Sequence, residues 1–319
     1  MTTGKPRKPL RVEPAHPDLD RVWRLVENNA PYRSMAGLDG YREYGMMSAL
    51  PWFREHWALD GHPLVAGVDD ILHNPIFIDG TRKVFDGGVV RPMTLLINLM
   101  GPMPAGVPHI DTPSFRGAER TNFPLWLLLV MGASGLFRRW SLALAGVVSW
   151  FYDGEGGEFE YWPDGENAPA QREGPPFGNI AVVTDSDRMY HRVAAIGRAD
   201  QYLSEGTIGA SSEIVRDENG AWSIVDDGKL RALYRQDQLR VSILWKAIVF
   251  ENEAAAAVFD DHCDDITLER AAKIFCSDLR ARGVKFTEPS DPGHDQQWSR
   301  TLIAAYPISS FNPPTVPRP

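Results

Sequence analysis

GVPHIDTPS, at positions 106–114, contains a His-x-Asp pair, and DSDRMYHRV, at positions 185–193, contains a further histidine. Residues two apart in a strand point to the same side, so His109 and Asp111 can act together at the end of a strand. His191 would then reach them from a different strand. Two imidazoles and one carboxylate on one face are the ligand set of a mononuclear non-haem iron centre with open positions beside it. The two stretches therefore predict a metal site formed by His109, Asp111 and His191.

Short β-rich runs surround both motifs between residues 89 and 250. A DENG turn at 217–220 predicts a hairpin within this region. The number and regularity of the runs favour a barrel or sandwich core. The runs include VVRPMTLLINLM, ALAGVVSWFY, EFEYW, NIAVVT and RVSILWKAIVF.

The segments on either side of this core have a different pattern. Residues 1–88 read as a mainly helical cover, with apolar residues at helical spacing in 17–29 and a mixed apolar stretch in 41–57. Residues 251–319 read as C-terminal helices and a tail that is irregular from Pro289. One of these helices is predicted to begin at the N-cap Thr267 and to end before Gly283. With no convincing linker, residues 1–319 are expected to form a single domain.

Composition excludes several classes of function. The chain has 319 residues, 43% of them hydrophobic, with a net charge of -9 and a pI near 5.4, so general attraction to nucleic acid is not expected. The N-terminus lacks the apolar run of a secretory signal, which favours a cytoplasmic protein. Two cysteines are too few for a disulfide framework. Glycines and arginines interrupt the apolar region 125–152, so no stable membrane insertion is expected.

Three motifs occur in an order that resembles a known enzyme family. HID at 109–111, GGEFEYW at 156–162 and YHRV at 190–193 are similar to the iron(II)- and 2-oxoglutarate-dependent oxygenases, especially their prolyl-hydroxylase-like branch. The resemblance covers roughly residues 89–250. It implies an α+β, β-rich protein whose core is a double-stranded β-helix, the jelly roll shared with cupins, flanked by N- and C-terminal helices.

The resemblance also implies a basic residue on the last core strand, which would bind the distal carboxylate of 2-oxoglutarate. Arg240 suits this role because a guanidinium can hold a carboxylate with two parallel hydrogen bonds, and Ser242 would face the same side. Positions 191 and 240 are 49 residues apart, which is longer than the family's usual interval, and the DENG hairpin could be an insertion. Arg198 and Lys246 therefore stay as alternatives, and simple pairing of Arg240 with an acidic neighbour at a sheet edge is a further one.

The family resemblance implies Fe(II) as cofactor and 2-oxoglutarate and O2 as co-substrates. Hydroxylation of a C–H bond is the default reaction, since related halogenases have a small residue where this chain has Asp111, and desaturation, epoxidation and cyclisation stay open. A small-molecule substrate is favoured. Arg116 and Arg192 are candidate substrate residues because each lies within a few residues of a metal ligand, and Tyr190 is a candidate because its aromatic ring could line the pocket. Asp185 and Asp187 are read as part of a turn rather than as ligands. The alternatives are a non-catalytic, cupin-like binding or sensor protein, and a metal enzyme that is independent of 2-oxoglutarate.

Overall fold

A computed structural model describes residues 5–37 and 50–308 of the chain. Fifteen strands and seven α-helices are formed within these residues. The strands are β1 Leu10–Val12, β2 Tyr32–Ser34, β3 Trp52–Leu59, β4 His62–Pro63, β5 Val89–Met100, β6 Ser114–Phe115, β7 Ser141–Phe151, β8 Phe159–Tyr161, β9 Gln171–Glu173, β10 Ala181–Asp185, β11 His191–Val193, β12 Glu213–Arg216, β13 Trp222–Asp226, β14 Lys229–Tyr234 and β15 Arg240–Phe250. The helices are α1 Leu19–Asn28, α2 Asp69–Leu72, α3 Pro75–Val84, α4 Leu125–Ser134, α5 Glu253–Asp260, α6 Leu268–Ala281 and α7 Gln296–Ala305.

Most strands belong to one large antiparallel sheet of 12 strands, and a second sheet has three. The large sheet runs in the order β1-β10-β7-β15-β5-β3-β2-β12-β13-β14, with β4 beside β3 and β6 beside β7. The small sheet runs β11-β8-β9. The chain is therefore β-rich with several helices, as the sequence predicted.

Both faces of the large sheet are buried. Alternate residues of β15 contribute to the two faces. Val241, Ile243 and Trp245 are buried in a core formed with α1 and α3. Alternate residues of a strand point to opposite sides, so Arg240 and Ser242 lie on the other face. There the small sheet packs against the large one through an apolar cluster of Met100, Trp150, Tyr152, Phe159, Tyr161 and Phe177.

A separate apolar core joins the C-terminal helices to α4. Phe137 and Phe275 are 4.9 Å apart between ring centroids, and Trp298 of α7 is fully buried beside them. Helix α6 begins after Thr267, whose side chain accepts a hydrogen bond from the Arg270 N–H, and Gly283 follows its end with a φ of 69°. The predicted helix is therefore confirmed. The irregular tail expected from Pro289 is wrong for Gln296–Ala305, which forms α7.

The N-terminal cover is helical only in part. Helix α1 was predicted, and it buries Val22 and Val26. The helix predicted for 41–57 is wrong where it can be compared, because Trp52–Leu59 is strand β3, and residues 41–49 lie outside the described residues. Strands β1, β2 and β3 all join the large sheet, so the N-terminal region completes the sheet as well as covering it.

The apolar region 125–152 divides into helix α4, a turn and strand β7. Among the described residues, no helix is both long enough and apolar enough to cross a membrane.

Candidate metal centre

The structure brings His109, Asp111 and His191 together. His109 and His191 face each other across an isolated antiparallel bridge, in which each backbone N–H donates to the other's carbonyl oxygen at 3.0 and 2.9 Å. Their ring centroids are 4.6 Å apart. One ligating atom from each of the three side chains lies within 4.8 Å of the others, and in the described part of the chain no other such group of histidine, cysteine and acidic side chains is found.

Both imidazoles are oriented by the backbone in the same way. Nδ1 of His109 is 2.9 Å from the carbonyl oxygen of Val107, and Nδ1 of His191 is 2.9 Å from that of Met189. A carbonyl oxygen can only accept, so Nδ1 must carry the proton in each ring. This leaves Nε2 as the nitrogen available to a metal, which is the arrangement found when a second hydrogen bond orients a metal-binding histidine.

Protonation states at the centre also suit a cation. Burial and the adjacent His109 lower the pKa of His191 to about 4, so this imidazole is neutral at pH 7. Burial of Asp111 opposes its ionisation, but the Lys246 ammonium and the two imidazoles outweigh it and hold the pKa of this carboxyl well below its usual value. Two imidazoles and one carboxylate are a ligand set that fits a divalent first-row metal such as iron(II).

The turn that precedes His191 contacts two of the three candidate ligands. The carbonyl oxygen of Ser186 accepts from the Asp111 N–H at 2.9 Å, and that of Met189 accepts from His191 as described above. The Asp185 carbonyl oxygen closes the turn by accepting from the N–H of residues 188 and 189. Burial and the neighbouring Asp185 raise the pKa of Asp187 well above its usual value. This segment is therefore a turn, and neither of its carboxylates belongs to the metal cluster.

Arg240 lies in the centre of the large sheet, where β15 runs between β5 and β7. Its side chain is buried, with 1% exposure, and its Nε donates to the carbonyl oxygen of Gly157 at 2.7 Å. Nη1 is 3.4 Å from Oγ of Ser242, while Nη2 has no hydrogen-bond partner among the described residues. Burial lowers the pKa of Arg240 to about 9, which leaves the guanidinium cationic at neutral pH. Arg240 is thus a buried cation with an unused donor and no salt bridge within the described chain, which argues against simple pairing at a sheet edge.

The two alternatives to Arg240 have other contacts. Arg198 is exposed and forms an ion pair with Asp200 at 3.1 Å. Lys246 lies 3.0 Å from Oδ2 of Asp111, so it contacts a residue of the candidate metal centre directly. The long interval between His191 and Arg240 contains β12, β13 and β14, which extend the large sheet beyond β2.

The candidate substrate residues are largely engaged within the protein. Arg116 binds Asp264 with distances of 2.9 and 3.2 Å and also donates to the carbonyl oxygen of residue 139. Arg192 donates to Glu160 at 2.5 Å. Tyr190 is half-buried beside His191, and its carbonyl oxygen accepts from the N–H of residue 162.

The contact between Lys246 and Asp111 was not predicted. The signal that could have found it is the strand alternation of RVSILWK, because Lys246 is an even number of residues from Arg240 and Ser242 and so shares their face of the sheet.

No family model matches the sequence, and no curated protein matches it. The fold is similar to a 2OG-Fe(II) oxygenase family oxidoreductase from Burkholderia pseudomallei (TM-score 0.42, 13% identity, 76% of this chain and 85% of that one). It is also similar to a prolyl-4-hydroxylase from Pseudomonas putida (TM-score 0.39, 12% identity, 76% of this chain and 92% of that one). A third similar structure is that of HygX from Streptomyces hygroscopicus, with nickel, 2-oxoglutarate and hygromycin B bound (TM-score 0.37, 8% identity, 76% of this chain and 83% of that one). All three TM-scores are below 0.5 and the identities are at most 13%, so these likenesses are too distant to assign a function to this chain.

Proposed function

We propose that this protein is an iron(II)- and 2-oxoglutarate-dependent oxygenase that hydroxylates a C–H bond of a small molecule and releases succinate and CO2. The observation that carries the proposal is that the same protein contains both a three-residue metal-ligand set and a buried guanidinium without a salt-bridge partner among the described residues. His109, Asp111 and His191 supply the donors for the metal. Arg240 supplies a cation that has an unused donor.

The strand order supports a double-stranded β-helix as the core. Along the chain, β5, β7, β10 and β15 belong to the large sheet, while β8, β9 and β11, together with the bridge at His109, belong to the small one. Within the large sheet the four neighbours run β10-β7-β15-β5. The chain therefore passes repeatedly between two facing sheets, as it does in jelly rolls. We propose that this core and its flanking segments form one oxygenase domain.

In this proposal each group at the centre has a separate task. His109, Asp111 and His191 would hold the iron, which supplies the oxidising chemistry together with 2-oxoglutarate and O2. Arg240 would hold the distal carboxylate of 2-oxoglutarate through its free Nη2, with Ser242 beside it. Phe177 lies beside the guanidinium, with its ring centroid 5.9 Å from the guanidinium carbon, and packs with Trp150 and Phe159 in a buried apolar cluster. A carboxylate bound to a guanidinium interacts more strongly in such a dry environment than in water.

The test is to add iron(II) and then 2-oxoglutarate to the metal-free protein without oxygen and to record the visible spectrum. We expect the weak metal-to-ligand charge-transfer band of a 2-oxoglutarate chelate. The His109→Ala variant is the control and should lack the band. Iron that binds without producing a band would refute the proposal, and would favour a metal protein of the same fold that does not use 2-oxoglutarate.

A further inference from the structure

Lys246 extends from the middle strand of the large sheet to the candidate metal centre. It lies on β15, on the face that carries Arg240 and Ser242, and is paired in register with Thr94 of β5 and Gly146 of β7. Its side chain is 25% exposed, and its Nζ is 3.0 Å from Oδ2 of Asp111. A central strand bonded on both sides is a rigid base for this ammonium group.

The two oxygens of the Asp111 carboxylate have different surroundings. Oδ2 is in contact with Lys246, whereas Oδ1 faces Nε2 of His191 at 3.9 Å. The backbone of Asp111 is held separately, because its N–H donates to the carbonyl oxygen of Ser186 at 2.9 Å. The carboxylate is therefore fixed at its backbone and at one oxygen, and the other oxygen points toward the imidazoles.

We propose that Lys246 is a positioning residue that holds Oδ2 of Asp111, so that this carboxylate binds the metal through Oδ1 alone. The inference rests on the proposed function, in which His109, Asp111 and His191 hold the metal. A carboxylate bound through one oxygen occupies one coordination position, whereas a chelating carboxylate occupies two. Lys246 thus keeps free a position that the co-substrates need.

A simple charge effect predicts the opposite result when Lys246 is removed. A cation near a divalent metal repels it, so loss of the charge alone would strengthen metal binding. Loss of positioning would weaken it, because groups that orient metal ligands typically contribute about 10- to 100-fold to affinity. The direction of the change therefore distinguishes the two roles.

The experiment uses cobalt(II) as the probe with the metal-free wild-type protein and the variants Lys246→Met, Lys246→Arg and Lys229→Met. Methionine preserves the length of the chain without the charge, arginine restores a charged donor, and Lys229 is an exposed control on β14. For Lys246→Met we expect cobalt affinity to fall by about 10- to 100-fold and the cobalt d–d bands to shift. Lys246→Arg should recover part of the affinity, and Lys229→Met should match the wild type.

Unchanged or stronger cobalt binding by Lys246→Met, or an unchanged cobalt spectrum, would overturn the inference. If the methionine variant does not fold, Lys246→Gln retains a polar group at the same position and is judged by the same criteria. Failure of the proposed function would look different. In that case the wild-type protein would bind no cobalt, or His109→Ala would bind it as well as the wild type does.

Discussion

At the scale of single residues, Arg240 is unusual because burial of its charge lowers the stability of the ligand-free protein. Its guanidinium is 1% exposed, and among the described residues Nη2 contacts no acceptor. An uncompensated buried charge destabilises a fold, whereas an apolar group of similar size does not. The residue is therefore better explained by a ligand that binds it than by the stability of the protein.

We predict that Arg240→Met separates binding from stability. The free energy of unfolding of the apoprotein should be unchanged or higher by up to about 3 kcal/mol, because a buried charge is removed. The affinity of the iron-loaded protein for 2-oxoglutarate should fall by about 100-fold, which corresponds to loss of charge-assisted hydrogen bonds. Urea denaturation and anaerobic titration with 2-oxoglutarate would measure the two quantities.

Arg116→Met is the matched control for this experiment. Arg116 has a carboxylate partner, Asp264, so its loss should lower the free energy of unfolding by about 1–3 kcal/mol and leave 2-oxoglutarate affinity unchanged. A clear loss of stability in Arg240→Met, with normal affinity, would instead identify Arg240 as a structural residue.

At the scale of residues, the sequence predicted which side chains form the site better than it predicted the contacts that those side chains make. The motif spacing selected the three side chains that the structure places within 4.8 Å of one another. It could not show that Lys246 reaches Asp111, since that contact depends on how β15 is positioned beside the turn at 185–189. Nor could it show that Arg192 is already paired with Glu160, its cross-strand neighbour between β11 and β8.

At the scale of elements, strand β7 packs against the turn that contacts the candidate metal ligands. Gly146 pairs with Thr184 of β10, and a Cβ at this position would lie 2.8 Å from Oγ and 3.0 Å from Cβ of Ser186. Ser186 in turn accepts the hydrogen bond from the Asp111 N–H. The absence of a side chain at Gly146 therefore lets the ligand-bearing segments pack closely.

We predict that Gly146→Ala weakens metal binding although it changes none of the three candidate metal ligands. The added methyl group should displace the turn at 185–189, and with it Asp111, and reduce cobalt(II) affinity by about 10-fold. Gly209→Ala is the control, because the nearest atom to its added Cβ is 3.6 Å away. Titration of both variants with cobalt would measure the effect, and equal affinities would show that the turn tolerates the displacement.

Sequence patterns identified some elements and failed for others, for physical reasons. Helix α6 was predictable because a polar cap, a periodic apolar face and a terminal glycine all occur within one segment. Strand β3 was mistaken for part of a helix because a mixed apolar stretch does not distinguish the periodicity of a helix from that of a strand. Its pairing with β5 is a long-range contact, which a local pattern does not contain.

At the scale of the whole molecule, the β-rich class followed from the pattern of short β-rich runs and turns, but the size of the large sheet did not. Strands from the N-terminal region and from the segment between β11 and β15 join it: β1 borders β10, and β12, β13 and β14 extend it beyond β2. Such additions are long-range pairings, which a local sequence pattern does not contain. The hairpin at DENG was predictable as β12–β13, whereas its place at the far end of the sheet was not.

His16 links three parts of the molecule and should make the stability of the fold depend on pH. It is 2% exposed, its Nε2 is 2.9 Å from Oγ of Ser149 on β7, and its ring packs against Phe77 of α3. Burial lowers the pKa of this imidazole from 6.5 to about 4. Between these two values the unfolded chain binds a proton at His16 and the folded protein does not, so acidification favours unfolding.

We therefore predict that the contribution of His16 to stability is fully present above pH 6.5 and is lost as the pH falls toward about 4. The loss should be about 3 kcal/mol in the free energy of unfolding. The comparison is with His16→Gln, which cannot titrate, so that other acidic and histidine groups cancel in the difference. Urea denaturation of both proteins from pH 7.5 to pH 4 would measure it. A difference between the two proteins that stays constant across this range would show that His16 is protonated equally in the folded and unfolded states.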